Sequence, residues 1–131
     1  MIPSVAQVKN LQKILNQNLT LRLYSNNIIP ALTDTLSTYT EVVGGGYAPV
    51  VLAYANWTIV AASGNIPTRA TYARFDMIFT GALTAPNTIY GYYIVDADGV
   101  LFGSERFSES VVPFATKLNS LIRITPRYTG G

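Results

Sequence analysis

The sequence predicts an all-β fold: an antiparallel β-sandwich, jelly-roll-like, with a short N-terminal helix or arm. Three observations carry this. After position 18, polarity alternates with period two in one short run after another, as in strands with one buried face. Gly, Pro, Asn and Asp punctuate these runs at intervals of roughly 8–12 residues, the rhythm of sandwiches and barrels. The chain is 49% hydrophobic and only 12% charged, with nine Tyr, five Phe and one Trp, material suited to packing on a pleated sheet.

At 131 residues the chain is long enough for one domain with a sizeable core and too short for two. It divides into a helical arm, 1–18, and a β domain, 19–131. In the arm, Val5, Val8, Leu11, Ile14 and Leu15 recur at three- and four-residue spacing and give one apolar stripe. Pro3 and Ser4 suit a helix start, with Ser4 as N-cap. The stripe leaves two readings open: packing on the chain's own domain, or docking on a neighbouring subunit.

Leu19, Leu21 and Leu23 alternate with Thr20, Arg22 and Tyr24, a half-buried strand. Ser25-Asn26-Asn27 is turn chemistry, and Pro30 ends the pairing of that edge. Residues 31–46 read as a loop with a short strand at Glu41 to Val43. Gly44-Gly45-Gly46 allows positive φ or close backbone approach. A phosphate loop needs Lys and Ser or Thr directly after its glycines; Tyr47-Ala48-Pro49 stands there instead.

Residues 47–53 and 56–61 predict two strands joined by a tight hairpin or bulge. Residues 70–80 predict one long strand, with Ala73, Phe75, Met77 and Phe79 on one face and Tyr72, Arg74, Asp76 and Ile78 on the other. Residues 88–95 form the most hydrophobic strand. Gly91 within it marks a bulge or a place where something packs on bare backbone. Asp96-Ala97-Asp98-Gly99 signals a hairpin turn into Val100 to Phe102. Short strands are expected at Glu105 to Ser108, at Val111 to Phe114 and at 120–125. The count is about eight strands.

The chemistry-bearing residues are few. There is no Cys and no His, which removes disulfides, thiolate metal sites and the commonest catalytic groups. No catalytic residue, metal site or cofactor is expected. Asp96 and Asp98 lack the further oxygen ligands a calcium loop needs and read as a solvated turn. Glu105 and Glu109, flanking Arg106, are the nearest approach to a glycosidase carboxylate pair. With seven acids in all, their proximity is ordinary. Arg22, Arg74 and Arg123 stand mid-strand, on a solvated face or paired at an interface; Asp76 shares a face with Arg74. Trp57, Tyr90, Tyr92 and Tyr93 form an aromatic set open to three readings: core, subunit interface or sugar platform.

A net charge of +2 with scattered Lys and Arg argues against nucleic acid as a partner. No apolar run approaches the roughly 20 residues of a membrane span. Met1-Ile2-Pro3 lacks the basic start of a signal peptide, so a cytosol-like setting is expected. Mean hydropathy is +0.25, high for a soluble monomer, and points to apolar surface covered by a partner.

A family resemblance joins these landmarks. The run from Leu21-Arg22-Leu23-Tyr24 through Asn26 to Pro30 is similar to a segment of small tailed-phage virion proteins, some from phages of cyanobacteria. Glu41, Gly46-Tyr47-Ala48-Pro49-Val50, Trp57, Ile89 to Asp96 and Ile122-Arg123-Ile124-Thr125-Pro126 follow in order. The resemblance implies a β-sandwich virion protein. A free-standing copy of this size resembles a capsid cement (decoration) protein. It would bind the major capsid protein on the virion exterior, as a homotrimer, after assembly in the host cytoplasm. Val5, Val8, Leu11 and Leu15, with Gly44, Gly45, Gly46 and Tyr47, are the expected interface. The alternative is a receptor- or carbohydrate-binding module at the tail or capsid surface, taking host glycan through Trp57, Tyr90, Tyr92 and Tyr93.

Overall fold

The computed structural model describes residues 3–113 and 121–129. They form a mixed fold of antiparallel sheets and one helix. Helix α1 spans Ser4–Leu15. Its N-cap falls on Pro3 and not on Ser4, with no side-chain cap hydrogen bond; proline's fixed φ and missing N–H suit a helix entrance. Leu11 and Leu15 are buried and turn the apolar stripe inward onto the chain's own core. Gln7 fastens the helix further by accepting a 2.7 Å hydrogen bond from the buried Thr68 hydroxyl. This helix is too short to cross a membrane.

The strands are β1 (Leu19–Tyr24), β2 (Val50–Leu52), β3 (Trp57–Val60), β4 (Arg69–Tyr72), β5 (Phe75–Ile78), β6 (Ile89–Val95), β7 (Leu101–Val111), β8 (Leu121–Ile124) and β9 (Arg127–Thr129). A four-stranded sheet has the order β2-β1-β6-β7 and a three-stranded sheet the order β3-β4-β9. Strands β5 and β8 form a separate two-stranded ladder. One core cluster draws Leu19, Leu21, Leu23, Tyr92 and Ile94 from the first sheet. Trp57, Ala70 and Tyr72 join it from the second, and Met77 and Ile124 from the ladder.

The strand expected at Glu41 to Val43 is only an isolated bridge, Glu41 opposite Tyr24, and four further expectations about the strands are corrected. The runs at 47–53 and 56–61 are not a hairpin. Strand β2 pairs with β1 and β3 with β4, so the chain changes sheets at the 3-10 turn Tyr54–Asn56. The Tyr72 hydroxyl holds that corner by accepting from Ala53 N at 3.0 Å and Asn56 Nδ2 at 3.1 Å.

The single strand expected at 70–80 is two. Register runs from Thr71 opposite Arg127 to Phe75 opposite Ile124, so Tyr72, Ala73 and Arg74 face only Thr125 and Pro126. Pro126 has no N–H to offer the ladder, and Ala73 N donates to Asn56 O instead. The extra residue is a bulge that switches the inward parity. Ala70 and Tyr72 are buried before it, Met77 and Phe79 after it, while Ala73 is exposed.

Third, the two-residue spacing of Tyr90 and Tyr92 predicts one shared face, with Tyr93 opposite, and β6 departs from this. Ile89 stands opposite Val111, yet Gly91 stands opposite Arg106. Across that irregularity the inward residues pass from Ile89 to Tyr92, and Tyr90 packs with Tyr93 on the other face. Tyr90 and Tyr92 therefore do not share a face. Fourth, the two short strands expected between 105 and 114 are one strand, β7, as far as Val111; Phe114 lies outside the described residues, as does Ser120.

Candidate functional site

The sheet face opposite the main core carries Tyr24, Tyr93 and Val95, which need cover. The segment from Ser25 to Tyr47 supplies it, held to β1 by hydrogen bonds from Ser25 N to Thr40 O (2.8 Å) and from Val42 N to Leu23 O (3.0 Å). Asn26 spans the loop, donating to Thr38 O at 2.8 Å and accepting from Thr40 N at 2.9 Å. Tyr39 then lies flat on Tyr93, ring centroids 5.0 Å apart, and edge-on to Tyr24 at the same separation. Its hydroxyl donates to Asp34 Oδ2 at 2.8 Å and meets Ser104 Oγ at 2.6 Å. Burial pushes the Tyr39 and Tyr93 phenols up to about 12. Arg106 donates to Ile28 O at 2.8 Å and lies over the Tyr90 ring.

Beside this aromatic stack, Arg22 Nη1 donates to both oxygens of Glu41, at 2.9 and 2.7 Å. That contact holds the Arg22 guanidinium above its ordinary pKa. The Tyr47 hydroxyl donates to Glu41 Oε2 at 2.8 Å and accepts from Leu23 N at 3.1 Å, and burial pushes its pKa up. Tyr47 gets there because Gly44, Gly45 and Gly46 all take positive φ. The glycines lie against the strap 80–84, with Thr80 N donating to Gly45 O and Thr84 N to Val43 O. A Cβ on Gly44 would stand 2.7 Å from Thr84 Oγ1, so the triplet is a backbone clamp.

Held at both ends, the loop presents apolar side chains to solvent. Ile29 is 81% exposed, Leu32 fully so, and Leu36 less. Of these three, Leu32 lines a groove of about 590 Å³ between Leu32 and Asp34 on the loop and Leu101, Phe102 and Ser104 on β7, with Arg127 at its side. The exposed apolar side chains of the loop, beside a groove of mixed polar and apolar lining that holds one acid and one base, are the candidate site.

The residues singled out from the sequence fall elsewhere. Leu11 and Leu15 are core and Val8 is half-buried, which leaves Val5, 71% exposed, and the less exposed Ile14 as the part of the stripe open to a neighbour. Gly44, Gly45 and Tyr47 are half-buried, engaged with the strap 80–84 and with Glu41, while Gly46 is exposed. Trp57, Tyr92 and Tyr93 are all buried and present no open ring face for stacking; Tyr90 is half-buried beneath Arg106. Glu105 accepts from the Tyr92 hydroxyl at 2.8 Å, and Asp96 Oδ1 accepts from Asp98 N and Val100 N. No cluster of metal-ligating groups occurs among the described residues.

Sequence reasoning missed the loop apex and Tyr39. The available signal was Ile28-Ile29-Pro30-Ala31-Leu32, an apolar run in a segment otherwise rich in turn residues. Comparison with known proteins finds no matching family model, no matching characterised protein and no matching solved structure.

Proposed function

We propose that this chain is a non-enzymatic docking protein of the phage capsid-decoration kind, seated on the major capsid protein at the virion exterior. The observation that carries the reading is the presentation of Ile29, Leu32 and Leu36 on a loop hydrogen-bonded at both ends. Exposed apolar side chains on an ordered scaffold favour association with another protein, and preorganisation lowers the entropy lost on binding. The acids Asp34, Glu41, Asp96 and Glu105 all accept internal hydrogen bonds, which supports a structural role for them over catalysis.

The finer architecture is part of the proposal. Because both sheets feed one core, we read them as the two layers of a sandwich. The pairing of β1 with the distant β6 suits a Greek-key or jelly-roll connection. A homotrimer would bring several copies of the loop to one lattice site, where modest contacts add by avidity. The receptor or glycan alternative has less support, since Trp57 is buried.

The test is co-sedimentation of the purified chain with capsids stripped of decoration, wild type against Ile29→Ser/Leu32→Ser. Binding by wild type and its loss in the folded variant support the reading; absence of wild-type binding overturns it.

A further inference from the structure

Helix α1 has a second face. Val5, Lys9, Gln12, Lys13 and Asn16 project opposite the buried Leu11 and Leu15. Their three- and four-residue spacing sets them in one stripe, with Lys9 and Lys13 roughly 5–6 Å apart at Cβ. The 3-10 turn brings up Tyr54, and together they enclose a shallow cleft of about 300 Å³ lined by Lys9, Gln12, Lys13, Asn16 and Tyr54. Among the described residues neither lysine has a carboxylate partner. Residues 1–33 contain no acid, so neither lysine has a carboxylate neighbour on its own helix. Two lysines without a carboxylate partner among the described residues, two carboxamides and a 39% exposed phenol therefore border one shallow depression.

We infer that the α1–Tyr54 cleft docks an acidic peptide segment of a partner protein, Lys9 and Lys13 pairing with its carboxylates and Tyr54 packing on its backbone or stems. Charge complementarity selects the occupant. Carboxylates four residues apart on a helix match the spacing of the lysines, and each pair gains from charge-assisted hydrogen bonds. Gln12 and Asn16 supply neutral donors and acceptors that suit a peptide backbone. Two lysines fall short of the extended basic stripe that a nucleic-acid backbone demands. The inference rests on the protein-docking reading and adds a polar contact to its apolar one.

The experiment is an amide-resolved NMR titration of the full chain with a glutamate-only peptide, beside a lysine-only peptide and a DNA oligonucleotide, on wild type and Lys9→Gln/Lys13→Gln. Shifts confined to Lys9, Gln12, Lys13, Asn16 and Tyr54, with affinity about tenfold weaker in the double variant, support the cleft. Scattered shifts, equal affinity in the variant, or tighter binding of DNA overturn it. Leu32→Ser separates the two proposals: it should spare peptide binding while weakening capsid binding. Peptide failure with intact capsid binding removes only the cleft; capsid failure with intact peptide binding removes only the decoration reading.

Discussion

Tyr24 lies across Gly91, its register partner on the neighbouring strand, so closely that a Cβ on Gly91 would stand 2.6 Å from the Tyr24 hydroxyl and 2.7 Å from its ring. The Glu105 carbonyl on the other neighbouring strand would be closer still, so the absent side chain serves both neighbours, and it leaves the Tyr24 ring room to take the edge of Tyr39. Through Tyr39 the same contact orders the loop that carries the candidate site.

Gly91→Ala is therefore expected to cost about 2–3 kcal/mol by overpacking and to loosen the loop. Tyr24→Phe should stay within about 1 kcal/mol of wild type, because the buried hydroxyl has no hydrogen-bond partner among the described residues. Denaturant unfolding checks both. A Tyr24→Phe loss larger than Gly91→Ala would refute the steric account.

Tyr47 ties loop to strand with two hydrogen bonds, one of them to a carboxylate. Tyr47→Phe should destabilise by about 1–3 kcal/mol, leaving Leu23 N without its acceptor. Glu41→Gln should cost less, about 0.5–1 kcal/mol, since the Arg22 pair is one-third exposed. A double-mutant cycle should show the two coupled; simple additivity would count against the network.

Alkali should unfold the protein through its tyrosines. Free tyrosine titrates near 10, whereas Tyr39 and Tyr93 are raised to about 12 when folded. Between those values the unfolded chain loses protons the folded one keeps, so stability falls as pH rises across that window and is unaffected below it. Tyrosinate absorbance and circular dichroism followed together test this. Titration of all nine tyrosines near 10 with the fold intact would contradict the burial.

Trp57 is 8% exposed and edge-on to Tyr72 at 5.1 Å. Trp57→Ala should cost about 3–5 kcal/mol and disturb the sheet-changing corner that Tyr72 holds. Thermal unfolding reads this directly. A stable, folded variant would reopen Trp57 as a surface residue.

Leu32→Ser and Ile29→Ser should each leave stability within about 0.5 kcal/mol of wild type, as befits exposed positions. If either unfolds the chain, the loop apex is core and not contact surface.

Much of the fold was legible. The stretch Leu19 to Tyr24 and the Asp96-Gly99 turn follow from local pattern, and the same pattern allowed positive φ at Gly44 to Gly46 and left Gly91 as either a bulge or a close packing. The identity of the ring on Gly91 did not, because Tyr24 is distant in sequence. The candidate site was least legible. Its exposed Ile29, Leu32 and Leu36 have no period to betray them, and the aromatics that drew attention, Trp57 and Tyr92, are core.

By itself the chain determined the β character after position 18 and several of its strands and turns, since alternation and turn chemistry act between near neighbours; where neighbouring strands break or merge was not among them. Alternation alone gave the inner face of β1, with Leu19, Leu21 and Leu23 buried; tertiary structure decided which face is inner where the register shifts. A single extra residue at Tyr72–Arg74, and the shifted register between Ile89 and Gly91, each reverse the parity of everything that follows. A bulge forms where two distant strands fail to match in length or hydrogen-bonding capacity, as at Pro126, and that mismatch exists only once the strands have met.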